Sequence, residues 1–295
     1  MQPASQQELQ PNVSEIKKAE RQWYRSVGLR TLTAIVGIPI VLACVWFGGW
    51  FAFAASTLVV LLGVYELHGM MLHNGYHPLI AISLLLSLLF LVAAMFPEQR
   101  SLLLEVGLAV ALLVTFPLLF SRKKLDGAMV DWSLTISIAI YLGWPMSLFP
   151  LIRGYQVGIS NGFWWLLTLL LGTWGFDTGA FFVGHFLGRH KLAPTISPGK
   201  TWEGAFGGLV FTIAAALLFA MWPLGIPWYL ALLLGVLLAV AATLGDLAES
   251  LIKRQTHVKD SGQIMPGHGG ILDRVDSLIF GVIVVYFFAQ LLGKL

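Results

Sequence analysis

The chain has 295 residues, of which 57% are hydrophobic and 11% are charged, and its formal net charge is +3. This composition is far more apolar than that of a soluble domain, and the small positive charge does not indicate a nucleic-acid-binding protein. The single cysteine, Cys44, lies inside an apolar run, which excludes a disulfide framework and a CxxC metal site.

The N-terminal segment differs from the rest of the chain. Residues 1–25 are polar and rich in glutamine, and they end in a group of basic residues. This segment is too long and too polar for a cleaved signal peptide, and no small-residue cleavage site closes the apolar run that follows it. We therefore predict a polar tail at 1–25 and a single transmembrane domain at 26–295.

Apolar runs of about 20 residues recur along this domain, and each is long enough to cross a bilayer core of roughly 30 Å. Glycine and proline residues separate the runs. The predicted spans are 29–48, 50–72, 78–97, 101–120, 132–152, 163–184, 203–223, 227–249 and 276–293. The pattern predicts an all-α, polytopic membrane protein with nine transmembrane helices, or eight if the first two are fused.

The Lys and Arg residues predict the orientation of these spans. They concentrate before the first span and in the connections 121–131, 185–202 and 250–275, whereas the alternate connections hold one or none. With nine spans, every basic connection falls on the side of the N-terminus. We therefore predict that the N-terminus and the basic loops face the cytoplasm of a bacterial-type inner membrane.

Three polar residues stand out within the spans. Glu66 and His68 lie at the inner end of the second span, where they could bind a lipid head group; we favour simple solvation at the membrane interface. Asp177 lies in the sixth span. An intramembrane carboxylate is costly unless it is partnered or hydrated, so Asp177 is a functional candidate. A structural hydrogen-bonding role near the membrane edge is the alternative.

The loop after this span contains the sequence ISPGKTWEG at 196–204. Its GKT triplet resembles the end of a Walker A motif, but Pro194 stands where the first glycine is required and no strand precedes it, so a P-loop is excluded. The glycine backbone, the lysine and the following helix N-terminus still suit phosphate. The alternative is an ordinary basic loop followed by a helix that Thr201 or Ser197 caps.

The segment 246–276 is the most highly charged part of the apolar domain. A cytoplasmic loop explains its Lys and Arg residues, but Asp and Glu contribute little to orientation. Asp246, Glu249 and Lys253 have the spacing of one helix face, and Asp273 and Asp276 are three residues apart. Carboxylates of this kind suit Mg²⁺ beside a polyphosphate. Zinc is disfavoured because there is no HExxH motif or thiolate. A salt-bridge network between two helices is the structural alternative.

Residues 250–276 resemble the signature of the phosphatidate cytidylyltransferases, also called CDP-diacylglycerol synthases. The matching positions are Ser250, Lys253, Arg254, Lys259, Asp260, Pro266, His268, Gly269, Gly270, Asp273, Arg274 and Asp276. Met265 is a conservative departure at a position where the family usually has Leu, Ile or Phe. The sequences DTGA at 177–180 and ISPGKTWEG at 196–204 are also similar to family elements, so the likeness covers roughly residues 173–276. The resemblance implies that the transmembrane domain at 26–295 is catalytic, with its site in the segments 173–204 and 246–276.

The resemblance implies that phosphatidate and CTP react to give CDP-diacylglycerol and pyrophosphate with the help of Mg²⁺. It also makes a second, monovalent cation such as K⁺ a candidate, and it implies a homodimer. The attacking lipid phosphate is already an anion, so positioning and charge neutralisation must supply most of the catalysis. The protein's partners would then be CTP, phosphatidate and the lipid bilayer, with no nucleic acid.

The resemblance also suggests residue roles. We predict that Asp246, Asp273 and Asp276 bind the metal and, together with Lys253 and Arg274, form the catalytic group. The residues predicted to bind CTP or phosphate are Asp177, Ser197, Lys200, Arg254, Lys259, Asp260, His268, Gly269 and Gly270.

Two rival functions share part of this pattern. A related CTP-dependent transferase or kinase could act on a polyprenyl or ether lipid. An ion-coupled transporter could also bury Asp and His residues, but its polar groups would lie near the midplane of broken helices, whereas most of those described above lie in predicted loops. No internal repeat of the kind found in many transporters is evident.

Overall fold

The computed structural model describes residues 35–123, 125–262, 264 and 269–295, and these residues are mostly helical. The helices are α1 (Ile35–Phe47), α2 (Gly49–His73), α3 (Ile80–Met95), α4 (Arg100–Phe120), α5 (Ala128–Ile138), α6 (Trp144–Arg153), α7 (Asn161–Leu187), α8 (Trp202–Ala216), α9 (Trp222–Leu224), α10 (Trp228–Gln255) and α11 (Leu272–Leu291). π-Helical turns at Ala139–Gly143 and Leu217–Met221 join α5 to α6 and α8 to α9.

Six segments of the described residues are long and apolar enough to cross a membrane. They are Gly49–His73, Pro97–Phe120, Ala128–Arg153, Asn161–Leu187, Trp202–Leu224 and Trp228–Gln255. This confirms the prediction of a mostly helical chain with several helices that are long and apolar enough to cross a membrane. The first, third and last predicted spans correspond to α1, α3 and α11, which are not among the six, and residues 29–34 and the polar tail lie outside the described residues. The count of nine and the orientation remain predictions.

The core is built where α7, α10 and α11 meet. Trp165 and Leu169 of α7, Leu238 of α10, and Ile279 and Val282 of α11 are all buried in one cluster. Since lipid is as apolar as these side chains, close packing rather than exclusion from water must hold such helices together.

Small residues allow the helices to approach closely. A Cβ atom at Gly179 of α7 would lie 2.7 Å from the carbonyl oxygen of Gly207 of α8. A Cβ atom at Gly245 of α10 would collide with the carbonyl oxygen of Asp276. Glycine at 245 therefore allows α10 and α11 to meet where each carries an acidic residue.

An antiparallel hairpin, predicted only as a loop, follows α7. Its strands are β1 (Lys191–Ala193) and β2 (Ser197–Thr201), and Lys191 pairs with Thr201. The side chain of Thr201 accepts a hydrogen bond from the backbone N–H of Gly204 at 3.1 Å, so Thr201, of the two predicted candidates, caps α8. Glu203 accepts hydrogen bonds from the backbone N–H groups of Arg189 and His190 and ties the start of the hairpin to α8.

Candidate active site

A cavity of about 670 Å³ lies between α7, the hairpin, the C-terminal part of α10 and the start of α11. Eight Asp, Glu, Lys or Arg side chains line it: Asp177, Lys200, Asp246, Glu249, Lys253, Asp273, Arg274 and Asp276. The two segments that sequence patterns singled out, 173–204 and 246–276, therefore meet at one cavity.

Three carboxylates form a compact group in this cavity. One oxygen atom from each of Asp246, Glu249 and Asp276 lies within 4.8 Å of the others. Asp246 and Glu249 lie one turn apart on α10, and Asp276 comes from α11, which the close approach at Gly245 brings near. Such a group of hard oxygen ligands fits a divalent cation.

Glu249 carries the strongest local indication of such a cation. The residue is 2% exposed. Its Oε2 atom accepts a hydrogen bond from Lys253 Nζ at 2.7 Å, but its buried Oε1 atom has no hydrogen-bond partner among the described residues. A buried carboxylate oxygen without a partner is costly, and a bound cation would compensate for that cost.

Asp273 is a predicted metal ligand, but both of its carboxylate oxygen atoms accept hydrogen bonds from protein groups. Its Oδ1 atom accepts a hydrogen bond from Lys253 Nζ at 2.6 Å. Its Oδ2 atom accepts hydrogen bonds from the N–H and hydroxyl groups of Ser261 at 3.1 and 2.9 Å, and from Gly270 N–H at 2.9 Å. Of the predicted metal ligands, the structure brings together Asp246 and Asp276, and it adds Glu249 rather than Asp273 to the group.

Cationic side chains surround the carboxylates. Lys253 lies between Glu249 and Asp273 and joins α10 to α11. Lys200 of the hairpin lies 2.8 Å from Asp246 Oδ1, so the hairpin reaches the same group. Arg274 also lines the cavity.

Asp177 enters the cavity from α7. Its Oδ1 atom lies 3.5 Å from the hydroxyl oxygen of Ser277, at the outer limit of a hydrogen bond. The intramembrane carboxylate that the sequence marked as a functional candidate therefore lies beside the charged group.

Several predicted nucleotide-binding residues do not line this cavity: Ser197, Arg254, Lys259, Asp260, Gly269 and Gly270. Arg254 Nε donates to the carbonyl oxygen of Ile196 at 3.2 Å, which holds the hairpin against α10. Asp260 lines a separate, smaller pocket of about 320 Å³ beside α2. His268 lies outside the described residues. The binding roles of all these residues remain predictions.

The interpretation of Glu66 as a solvated interfacial residue is wrong. Glu66 is 4% exposed, and its carboxylate accepts hydrogen bonds from Ser261 and from the backbone at the start of α11. The signal was present in the sequence, because Glu66 is the single Asp, Glu, Lys or Arg between Arg30 and Glu98. An isolated intramembrane charge indicates a built environment rather than solvation.

Comparison with known proteins shows which family the chain resembles over its length. The chain matches the model of the cytidylyltransferase family over residues 28–292. A phosphatidate cytidylyltransferase of Synechocystis sp. is 35% identical over 289 residues, which cover 89% of this chain and 96% of the relative. The enzymes of that name from Staphylococcus epidermidis and Bacillus subtilis are 36% and 39% identical; the alignments cover 85% and 72% of this chain and 95% and 80% of those relatives.

Proposed function

Because the chain belongs to the cytidylyltransferase family, we propose that it transfers a cytidylyl group from CTP to phosphatidate and releases pyrophosphate. The observation that carries this proposal is the cavity in which three clustered carboxylates meet Lys200, Lys253 and Arg274. Carboxylates without cations would repel a triphosphate, and cations alone would not hold a metal. The combination suits a nucleotide that binds as a metal complex.

In the proposed reaction, an oxygen atom of the lipid phosphate forms a bond to the α-phosphorus of CTP. The bond between that phosphorus and the oxygen bridging to the β-phosphate breaks, and pyrophosphate leaves. The nucleophile is already an anion, so no side chain has to remove a proton from it. The side chains of the cavity align two anions and balance their charge, which are the principal sources of catalysis in phosphoryl transfer.

Asp246, Glu249 and Asp276 would hold the divalent cation, and Mg²⁺ is the best candidate because all the candidate ligands are carboxylate oxygens. When bound, this ion supplies charge neutralisation and polarisation of phosphate oxygens. A monovalent cation such as K⁺ remains a further candidate, as the family resemblance implies.

The lysines have separate roles in this proposal. Lys253 is fixed between Glu249 and Asp273, so it contributes a permanent positive charge to the wall of the cavity. Lys200 lies on the hairpin, and among the described residues it forms an ion pair with a single carboxylate, that of Asp246. We infer that Lys200 exchanges its ion pair with Asp246 for one with a phosphate of the nucleotide.

The position of the cavity suits a reaction between a soluble and a lipid substrate. It lies where the apolar helices α7 and α10 end and α8 and α11 begin, so charged groups meet the edge of the membrane segments. The distribution of Lys and Arg supports a cytoplasmic location on a bacterial inner membrane, with nine spans. A homodimer remains a proposal from family likeness.

The test is turnover by the purified full-length chain in detergent micelles that contain phosphatidate, CTP and Mg²⁺. We expect equimolar pyrophosphate and CDP-diacylglycerol, and neither product without Mg²⁺ or phosphatidate. Micelles containing a polyprenyl or ether lipid instead of phosphatidate provide the comparison. Faster product formation from one of those lipids, or the absence of pyrophosphate with every lipid, would contradict the proposal.

A further inference from the structure

Glu66 belongs to α2, outside the part of the chain that carries the family signature, yet it contacts the start of α11. Its Oε1 atom accepts a hydrogen bond from Ile271 N–H at 2.9 Å. Its Oε2 atom accepts one from Leu272 N–H at 3.1 Å. The first N–H groups of a helix have no acceptor inside it and carry partial positive charge, so a carboxylate is well suited to them. Glu66 thus caps α11 from a helix that lies about 200 residues earlier in the chain.

Ser261 connects this cap to the active-site cavity. Its hydroxyl oxygen lies 3.0 Å from Glu66 Oε2 and 2.9 Å from Asp273 Oδ2. A hydroxyl group has one hydrogen atom, so the two carboxylates share it, while the Ser261 N–H provides a second hydrogen bond to Asp273. Glu66, Ser261 and Asp273 therefore form one chain of contacts, and it continues from Asp273 to Lys253.

Two glycine residues, Gly262 and Gly270, lie directly against the Glu66 carboxylate. A Cβ atom at Gly262 would lie 2.6 Å from Glu66 Oε1. A Cβ atom at Gly270 would collide with both Glu66 Oε2 and the Ser261 hydroxyl oxygen. The absence of a side chain at these two positions therefore leaves room for the Glu66 carboxylate.

We propose that Glu66 is a positioning residue of the active site. It fixes the first turn of α11, which carries Asp273 and leads into Asp276, and through Ser261 it fixes the Asp273 carboxylate that holds Lys253. This inference rests on the proposed function for its kinetic readout. It makes the N-terminal half of the molecule a part of the catalytic apparatus.

Glu66→Gln is the most informative substitution because it keeps the shape of the side chain. The amide has one oxygen acceptor, so its NH₂ group must face an N–H donor of Ile271 or Leu272, and one of these hydrogen bonds is lost. Partners that orient metal ligands or their neighbours typically contribute 10–100-fold to affinity or activity, and we expect a fall in kcat of about tenfold or more. We also expect weaker Mg²⁺-dependent binding of CTP, measured by calorimetry without lipid.

Asp131→Asn is the matched control. Asp131 is 5% exposed and accepts hydrogen bonds from His77 N–H at 2.7 Å and Arg122 at 2.5 Å. It is a buried carboxylate on α5, and it does not line the cavity. This variant should lower the thermal stability in detergent but leave CTP binding and kcat per folded molecule unchanged.

A double-mutant cycle separates positioning from a general loss of stability. Glu66→Gln and Ser261→Ala interrupt the same chain of contacts, so the double variant should lose less activity than the product of the two single losses. Glu66→Gln combined with Asp131→Asn should give the product of the two single effects, because the two carboxylates have different hydrogen-bond partners among the described residues.

The proposal is overturned if folded Glu66→Gln binds CTP with Mg²⁺ like the wild type and keeps its kcat. It is also overturned if the losses in Glu66→Gln and Ser261→Ala simply multiply. If the proposed function is wrong, the wild type itself will form no product from phosphatidate. The calorimetric comparison of nucleotide binding between the wild type and Glu66→Gln would still test the role of Glu66.

Discussion

Buried charged side chains have different hydrogen-bonding environments in the N-terminal half, α1–α6, and in the C-terminal half, α7–α11. In the first half, Glu66, Asp131 and Arg153 are each at most 5% exposed, and each has several hydrogen-bond partners. Arg153, for example, donates to carbonyl oxygens of Val45, Trp46 and Gly158 and to the Ser160 hydroxyl.

In the second half, the charged side chains converge on a cavity, and a buried oxygen atom of Glu249 lacks a partner among the described residues. A fully satisfied buried charge stabilises the native arrangement, whereas an unsatisfied one stores an unfavourable free energy that a ligand can relieve. The comparison teaches that a buried oxygen atom without a partner, rather than burial alone, marks Glu249 as a candidate ligand-binding residue.

Asp246→Asn gives the largest expected effect on activity. It removes one member of the carboxylate group and the partner of Lys200. By analogy with the removal of other electrostatic catalytic groups, kcat should fall on the order of a hundredfold or more, measured as pyrophosphate release. The control is Asp126→Asn, an exposed loop residue that should leave the rate unchanged. Turnover at the wild-type rate by Asp246→Asn would contradict a catalytic role for Asp246.

Lys253→Met should affect both activity and stability. Lys253 neutralises the buried Glu249 carboxylate and the partly buried Asp273 carboxylate. Removing one partner of a buried ion pair is strongly destabilising, and we expect the free energy of unfolding to fall by about 3 kcal/mol. Adding Glu249→Gln removes one of the carboxylates left unpaired, so the double variant should regain part of its Tm but none of its activity. Recovery of activity in the double variant would contradict a catalytic role for both residues.

Arg153→Met tests whether a fully hydrogen-bonded charge in the N-terminal half has only a structural role. It leaves the carbonyl oxygens of Trp46 and Gly158 and the Ser160 hydroxyl without their donor, which should lower the free energy of unfolding by about 3 kcal/mol. The KM for CTP and the kcat per folded molecule should stay at wild-type values. A selective loss of CTP affinity in the folded variant would show that this half contains a second functional charge.

Lys200→Ala should have the smallest effect on activity among the variants of the cavity. The side chain of its partner Asp246 is 33% exposed, so water can replace part of the lost contact. Loss of one charge-assisted contact to a phosphate should raise the KM for CTP about tenfold, with a smaller change in kcat. Lys191→Ala in β1 is the control on the same hairpin, and unchanged kinetics in Lys200→Ala would exclude the hairpin from nucleotide binding.

Local patterns in the sequence were sufficient to predict the helical membrane architecture and the two segments that meet at the cavity. Apolar runs of span length and the spacing of Asp246, Glu249 and Lys253 depend only on nearby residues. The β1–β2 hairpin was missed because its short strands, which include Pro198 and Gly199, show no alternation of apolar and polar residues.

The roles of Glu66 and Glu249 depend on contacts distant in sequence. The donors to Glu66 are about 200 residues away, and no pattern of spacing indicates such a pairing. The sequence likewise presents Glu249 and Asp273 as similar carboxylates. The fold distinguishes them, because loop N–H groups and the Ser261 hydroxyl surround Asp273 and leave Glu249 with an unpaired oxygen atom.

Glu249→Gln tests the central claim most directly when kcat and Tm are measured on the same purified sample. If the unsatisfied buried carboxylate serves the reaction, its neutral analogue should lose activity on the order of a hundredfold while the Tm in detergent stays the same or rises. Wild-type turnover with a lowered Tm would contradict the account, because Glu249 would then be a structural charge like Arg153.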